Sequence, residues 1–229
     1  MTILMKRITV LLAEDHLIVR EGFRSLLKRE RDIEVVGEAE TGRQAVRLTR
    51  KLRPDVVVMD IAMPLLNGLE ATRQIRKDFP DTKVVMLSAH SDDAYVDQVI
   101  ELGAAGFLLK QTSSHVLAAA IREASKGNTF FSPAIAKRLH GRGQKSLNRG
   151  GHLKKKLNRL SSREVEVLQL IAEGQPNKQV AEELGVSFKT IDKHRQHLMA
   201  KLNIHDIAGL TRYAIAEGII ESSVQVTIV

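Results

Sequence analysis

The chain has 229 residues, 43% hydrophobic and 27% charged, a balance ordinary for a soluble protein of one large or two modest domains. It has no cysteine, which excludes a disulfide framework, a thiolate zinc site and a thiol nucleophile. No apolar run is long enough to span a membrane and no signal-peptide pattern opens the sequence, so the expected setting is the cytoplasm, away from any membrane.

The net charge of +8 is unevenly placed. Residues 1–125 hold 18 Lys+Arg against 18 Asp+Glu. Residues 126–163 hold 11 Lys+Arg and no acid, and residues 164–229 hold 6 Lys+Arg against 9 Asp+Glu. The surplus lies in the middle, where a basic run is either a solvated linker or an attraction for polyanions.

Ile8 to Ala13 is an apolar run ending in Glu14-Asp15. His16 to Glu30 has helical spacing, with Val19, Phe23, Leu26 and Leu27 on one side. Ile33 to Ala39 reads as a strand, and Thr41 as the N-cap of a helix striped by Ala45, Val46, Leu48 and Leu52. Val56 to Met59 fits a strand buried on both faces, and it ends in Asp60. Asn67-Gly68 reads as a turn before a helix to about Asp78. Lys83 to Leu87 is a strand followed by Ser88, Asp92 to Leu102 a helix, Ala105 to Leu109 a strand followed by Lys110, and Ser113 to Ser125 a helix.

Five strand-helix units in succession predict a parallel sheet with helices on both faces. Ligands of such sheets bind outside the carboxyl ends of the strands. Glu14-Asp15, Asp60, Ser88 and Lys110 each follow a different strand, so the topology gathers them on one edge. On its own stretch, Asp60 could equally be a turn former. Three converging carboxylates call for a cation, and hard oxygen ligands suit Mg²⁺. A metal and a lysine would offset the charge of an incoming phosphoryl group, with Asp60 the nucleophile.

Those motifs, Glu14-Asp15, MDIAMP with Gly68, Ser88-Ala89 and GFLLK ending at Lys110, resemble a response-regulator receiver domain. The resemblance implies that a sensor histidine kinase phosphorylates Asp60. It implies a Mg²⁺ site of Glu14, Asp15, Asp60 and the Ala62 carbonyl, and phosphoryl contacts from Ser88, Ala89 and Lys110. Phe107 would turn inward on phosphorylation. Glu14 replaces the commoner aspartate, and Phe107 lacks the hydroxyl of the commoner tyrosine.

Ser132 to His140 could form one short helix. From Gly141 to Asn158, four glycines and many basic residues read as a mobile linker. Ser161 with Glu164 predicts a capping box, stapled by Leu160 and Val165. Val165, Leu168, Ile171 and Ala172 share a face of that helix, and a second helix buries Val180, Ala181 and Leu184. Gly185-Val186-Ser187 is a tight turn before a longer helix, Phe188 to about Leu202. Ile191, Leu198 and Leu202 form its inward stripe, and Lys189, Lys193 and Gln196 another face. This fits a helix-turn-helix, and equally an ordinary helical hairpin with solvated lysines.

LSSREVEVLQLIAEG, NKQVAEELGVSFKTIDKHRQHLMAKL and TRYAIAEG resemble the LuxR-type DNA-binding domain, and with the receiver the whole resembles a NarL/FixJ-type response regulator. The resemblance implies a recognition helix over 187–202 that contacts double-stranded DNA through Lys178, Ser187, Lys189, Thr190, Lys193, His194 and Lys201. It implies homodimers, formed when phosphorylated or DNA-bound, that pair through Ala208, Leu210, Ala214 and Ile215. Asp192 stands where many members carry a basic residue.

The expected fold is therefore a doubly wound, five-stranded parallel α/β receiver (flavodoxin-like) with a smaller all-α domain. The expected boundaries are 1–126 for the receiver, 127–158 for the basic linker and 159–229 for the DNA-binding domain. The expected role is a non-enzymatic, phosphorylation-switched transcription regulator. The alternatives are a haloacid-dehalogenase-type phosphatase, disfavoured by Ala62 where that family needs a second acid, and a DNA-binding protein indifferent to phosphorylation.

Overall fold

The structure is a computed structural model that describes residues 6–89, 93–131 and 160–220. The short helix expected within 132–140 and the rest of the linker lie outside the described residues. The chain forms two compact units, residues 1–140 and 141–229.

The first unit alternates strands β1 (Ile8–Ala13), β2 (Ile33–Ala39), β3 (Val56–Asp60), β4 (Lys83–Ser88) and β5 (Gly106–Leu109) with helices α1 (Leu17–Leu27), α2 (Gly42–Leu52), α3 (Gly68–Asp78), α4 (Asp93–Glu101) and α5 (Ser114–Ser125). All strand pairings are parallel, in the order β2-β1-β3-β4-β5-β6. Period-two alternation divides the core. Val10, Leu12, Val56 and Val58 face Phe23, Leu27, Leu117 and Ile121, while Leu11, Val57 and Met59 pack with Ala45, Ile75, Val96 and Val99. Helices α1 and α5 thus cover one face, and α2, α3 and α4 the other.

Among the described residues the sheet has six strands, not the expected five. β6 (Phe130–Phe131) adds to β5 in parallel. Gly106 permits the approach, because a Cβ there would lie 2.6 Å from the Phe130 carbonyl oxygen. Two residues give no periodicity to read, and they fall in the stretch expected to be linker. The first unit therefore runs past residue 126.

The second unit holds α6 (Ser162–Ala172), α7 (Asn177–Leu184), α8 (Phe188–Leu202) and α9 (Ile207–Ala216). The capping box is formed: Ser161 accepts from the Glu164 N–H, and Glu164 accepts from the Ser161 N–H at 2.7 Å. Helix α6 is the unit's axle. Every residue from Val165 to Ala172 is buried, not only the stripe the periodicity marks, because α7, α8 and α9 all pack on it. Gly185 turns the chain between α7 and α8 with φ 63, a backbone conformation cheap only for glycine. Ser187 then caps α8.

Candidate functional sites: an acidic strand-end cluster and an exposed helix face

The strand order reverses direction between β1 and β3, which opens a crevice at their carboxyl ends. Glu14 and Asp15 leave β1 there, and Asp60 ends β3. Backbone hydrogen bonds hold these ends. The Glu14 N–H donates to the Ala39 carbonyl at 3.0 Å, that of Ile61 to Leu87 at 3.0 Å and that of Lys110 to Ser88 at 2.8 Å. Asn67 caps α3, and the Gly68 N–H donates to the Ile61 carbonyl at 2.8 Å. A Cβ at Gly68 would fall 1.8 Å from the Asp60 carbonyl oxygen. Glycine there lets α3 start directly against the end of β3.

The side chains converge. Lys110 Nζ lies 2.9 Å from Glu14 and 3.0 Å from Asp60 Oδ2. The carboxylates of Glu14 and Asp60 are each 2% exposed. Burial and the neighbouring Glu14 charge push the Asp60 pKa up to about 7, against the pull of Lys110. Burial disfavours the Lys110 ammonium, but Asp60 and Glu14 outweigh it and raise that pKa. His16 Nδ1 lies 2.9 Å from Asp15 Oδ1 and 3.2 Å from Glu14 Oε1. Asp15 raises the imidazole pKa, against burial and with help from Glu14.

These two buried carboxylates share the Lys110 ammonium, and among the described residues no other donor meets Glu14 Oε2 or Asp60 Oδ2. Ligand atoms of Glu14, Asp15, His16 and Asp60 all lie within 4.8 Å of one another. Two buried carboxylates that share one ammonium, beside a half-exposed Asp15, leave anionic oxygen in excess, the donor type a hard divalent cation takes. The residues present fit Mg²⁺.

In the second unit, Lys189, Lys193, Gln196 and His197 are exposed along α8, while Ile191 and Leu198 are buried. Arg195 donates to Asn177 Oδ1 at 3.1 Å and locks α8 to the start of α7. Ser187, Lys178 and Lys201 are also exposed, and Thr190 and His194 half-buried. Asp192 accepts from Gln196 at 3.0 Å, one turn along the helix.

The family model for the response regulator receiver domain matches residues 10–122, and that for the luxR family of bacterial regulatory proteins matches residues 158–214. Transcriptional regulatory protein LiaR of Bacillus subtilis is 40% identical over 207 residues, 90% of this chain and 96% of LiaR. The RcsB response regulator of Salmonella typhimurium has a solved structure that matches with a TM-score of 0.56 at 29% identity, over 93% of this chain and 100% of that one. A structure of two RcsB dimers bound to two parallel DNAs matches with a TM-score of 0.57 at 28% identity, over 93% and 99%.

The chain belongs to the LuxR family of response regulators. It is a two-component response regulator that joins a receiver to a LuxR-type DNA-binding domain, the NarL/FixJ arrangement.

In this response regulator, Glu14, Asp15, Asp60 and Lys110 share one site, with Ser88 buried at the neighbouring strand end. Ala62 is half-buried in the loop after Asp60, and Ala89 is exposed after Ser88. Phe107 is wholly buried in the core. Phenylalanine carries no hydroxyl to be kept in water, so nothing opposes burying the whole ring. One expectation, the pairing face of α9, needs correction. Leu210 and Ala214 are wholly buried on the inner face of α9 and offer nothing to a second subunit; Ile207, Ala208 and Ile215 are the exposed members. Lys201 is exposed and ion-paired with Glu164 at 2.7 Å.

Sequence reading missed two residues. His16 directly follows the acid pair. Arg20 is buried and donates to the Glu14 carbonyl at 2.7 Å, while its other nitrogens reach Glu38 at 3.2 Å and Glu40 at 2.7 Å. The available signal was its place among Phe23 and Leu27, at i, i+3 and i+7, where an arginine breaks the apolar stripe.

Proposed function

We propose that this response regulator accepts a phosphoryl group on Asp60 from a sensor histidine kinase. The single observation that carries the reading is Lys110 Nζ held against both buried carboxylates. Asp60 must be ionised to attack phosphorus, and burial works against that. Lys110 favours the carboxylate and balances charge on the incoming group. In the transfer, an Asp60 oxygen forms the new P–O bond as the P–N bond of a phosphohistidine breaks, and the freed imidazole nitrogen takes a proton. Glu14, Asp15, Asp60 and the Ala62 carbonyl are the groups that would hold Mg²⁺, which supplies positive charge toward the phosphoryl oxygens. Ser88 and Ala89 lie at the adjacent strand end as phosphoryl contacts, and Phe107 as a buried packing element of the switch.

The domain limits we propose are a receiver reaching at least Phe131, a basic linker within 132–159 and a DNA-binding domain from Leu160. Helix α8 reads double-stranded DNA. Lys178, Ser187, Thr190 and His194 serve the phosphates, and Lys189 and Lys193 the base edges. Homodimers form on phosphorylation or on DNA, with Ala208 and Ile215 at the pairing face. The regulator works in the cytoplasm, beside its DNA, and catalyses no turnover of free substrates. A haloacid-dehalogenase-type phosphatase would need an acid at position 62, where alanine stands.

The test is intact mass after incubation with acetyl phosphate and Mg²⁺. One added phosphoryl group is expected, and none on Asp60→Asn. Equal uptake by both proteins would sink the reading.

A further inference from the structure

Three carboxylates alone describe a site for an oxygen-loving cation. This cluster holds a fourth donor of a different kind. The His16 imidazole sits at the mouth of the crevice with Nδ1 2.9 Å from Asp15 Oδ1 and 3.2 Å from Glu14 Oε1. Its side chain is 68% exposed, so the ring closes the solvent side of the cluster and is not part of the core. Beneath it, Glu14 Oε2 and Asp60 Oδ2 are buried with Lys110 Nζ as their shared cationic partner, at 2.9 and 3.0 Å. The inner wall therefore offers carboxylate oxygens, two carboxylates to one ammonium, and the outer wall a nitrogen.

Mg²⁺ prefers oxygen, keeps several waters and gains little from imidazole. First-row transition ions bind imidazole well, with affinity rising from Mn²⁺ through Co²⁺ to Ni²⁺ and Cu²⁺, and Zn²⁺ just below Cu²⁺. An N,O₃ donor set within 4.8 Å suits those ions better than it suits Mg²⁺. Glu14 strengthens the case, since its extra methylene brings the carboxylate to the shared space from a buried backbone position.

We propose that His16 is a metal ligand of this site and makes it a receptor for an imidazole-binding divalent ion, Co²⁺ or Zn²⁺ in type, as well as for Mg²⁺. The proposal rests on the reading of the acid cluster as a divalent-cation site. His16 otherwise has only a structural part, as the residue before α1, and its side chain does not cap that helix. Nothing in α1 requires an imidazole there.

The experiment is direct titration of the full chain with Co²⁺, followed by its visible absorption, and in parallel with Mg²⁺ by calorimetry. The proteins are the parent, His16→Ala, His16→Gln and Asp60→Asn. Displacement of Co²⁺ by excess Mg²⁺ identifies the signal that belongs to this site rather than to surface histidines. His16→Ala and His16→Gln are expected to lose about tenfold or more in Co²⁺ affinity and to change the Co²⁺ spectrum, while Mg²⁺ affinity stays within about twofold. Glutamine can still hydrogen-bond Asp15, so its failure to rescue Co²⁺ assigns the loss to the nitrogen ligand. Equal losses for both metals would make His16 a positioning residue for Asp15 and overturn the proposal. Unchanged Co²⁺ binding would overturn it as well. If the parent binds no Mg²⁺ while folded, both this inference and the cation site beneath it fall.

Discussion

Lys110 Nζ lies 3.0 Å from Asp60 Oδ2 in a pocket where the carboxylate is 2% exposed. One ammonium here restrains two buried acids, since Glu14 is 2.9 Å away. Removing one partner of a buried pair costs about 3–5 kcal/mol, because the other charge is left uncompensated. Lys110→Met is therefore expected to destabilise the first unit by about 3 kcal/mol at pH 8 without Mg²⁺. The loss should shrink at pH 6, where Asp60 escapes by taking a proton. Added Mg²⁺ should recover most of it. Hydrogen exchange at β1 and β3 amides reads this unit alone.

The pH dependence has a definite sign. Asp60 titrates near 7 in the folded, metal-free unit, above its ordinary 3.8. The folded state thus keeps a proton that the unfolded chain has lost. Stability is fully present below the ordinary pKa and falls as pH rises toward and through 7. His16, whose pKa is also raised, acts in the same direction. Asp55 and Asp32 have lowered pKa values, so their contributions are lost only in stronger acid. Metal-free stability should decline from about pH 5 to pH 8. Saturating Mg²⁺ should flatten or reverse that slope, because the ion favours ionised Asp60. Thermal unfolding across pH, with and without Mg²⁺, checks both curves.

Gly68 is a steric requirement of the site. A methyl group there would meet the Asp60 carbonyl at 1.8 Å and Met59 Cγ at 3.0 Å. Gly68→Ala should cost about 3 kcal/mol or more and sharply reduce phosphorylation by acetyl phosphate, since β3 or α3 must move. Gly22→Ala is the control. It lies in α1 with nothing near its absent Cβ, and alanine there should stabilise by roughly 0.5–1 kcal/mol.

The strand-helix rhythm made the receiver architecture legible, because buried strands such as VVVM read as unbroken apolar runs. Topology then placed Glu14, Asp15, Asp60, Ser88 and Lys110 together without any coordinates. What stayed hidden is instructive. β6 is two residues long, and only the missing Cβ of Gly106 admits it. Arg20 hid within an apolar stripe, where its burial depends on partners from β2 and the β1 end. The family resemblance put Leu210 and Ala214 at the pairing face, but it does not say which apolar residues of that helix are taken by its own chain. Here α6 takes them.

DNA affinity and DNA discrimination should separate by mutation. Lys193 is exposed on α8, so Lys193→Ala should cost roughly 1–3 kcal/mol on the preferred site and little on scrambled DNA, if it makes a bidentate base contact. Lys154, Lys155 and Lys156 belong to the acid-free stretch 126–163. Replacing all three with glutamine should weaken every sequence alike and flatten the salt slope by about 0.9 for each phosphate no longer neutralised. Salt titrations on specific and scrambled sites decide between them. An unchanged slope would reduce that stretch to a tether.

The central claim is that phosphate on Asp60 governs how α8 engages DNA. The most direct measurement is footprinting of genomic DNA with the parent and Asp60→Asn, each with and without acetyl phosphate and Mg²⁺. The account predicts a discrete set of protected sites that the treated parent occupies at much lower concentration than the untreated one. Asp60→Asn should show no gain on treatment. Equal strengthening of both proteins, or protection indifferent to treatment in the phosphorylated parent, would contradict it.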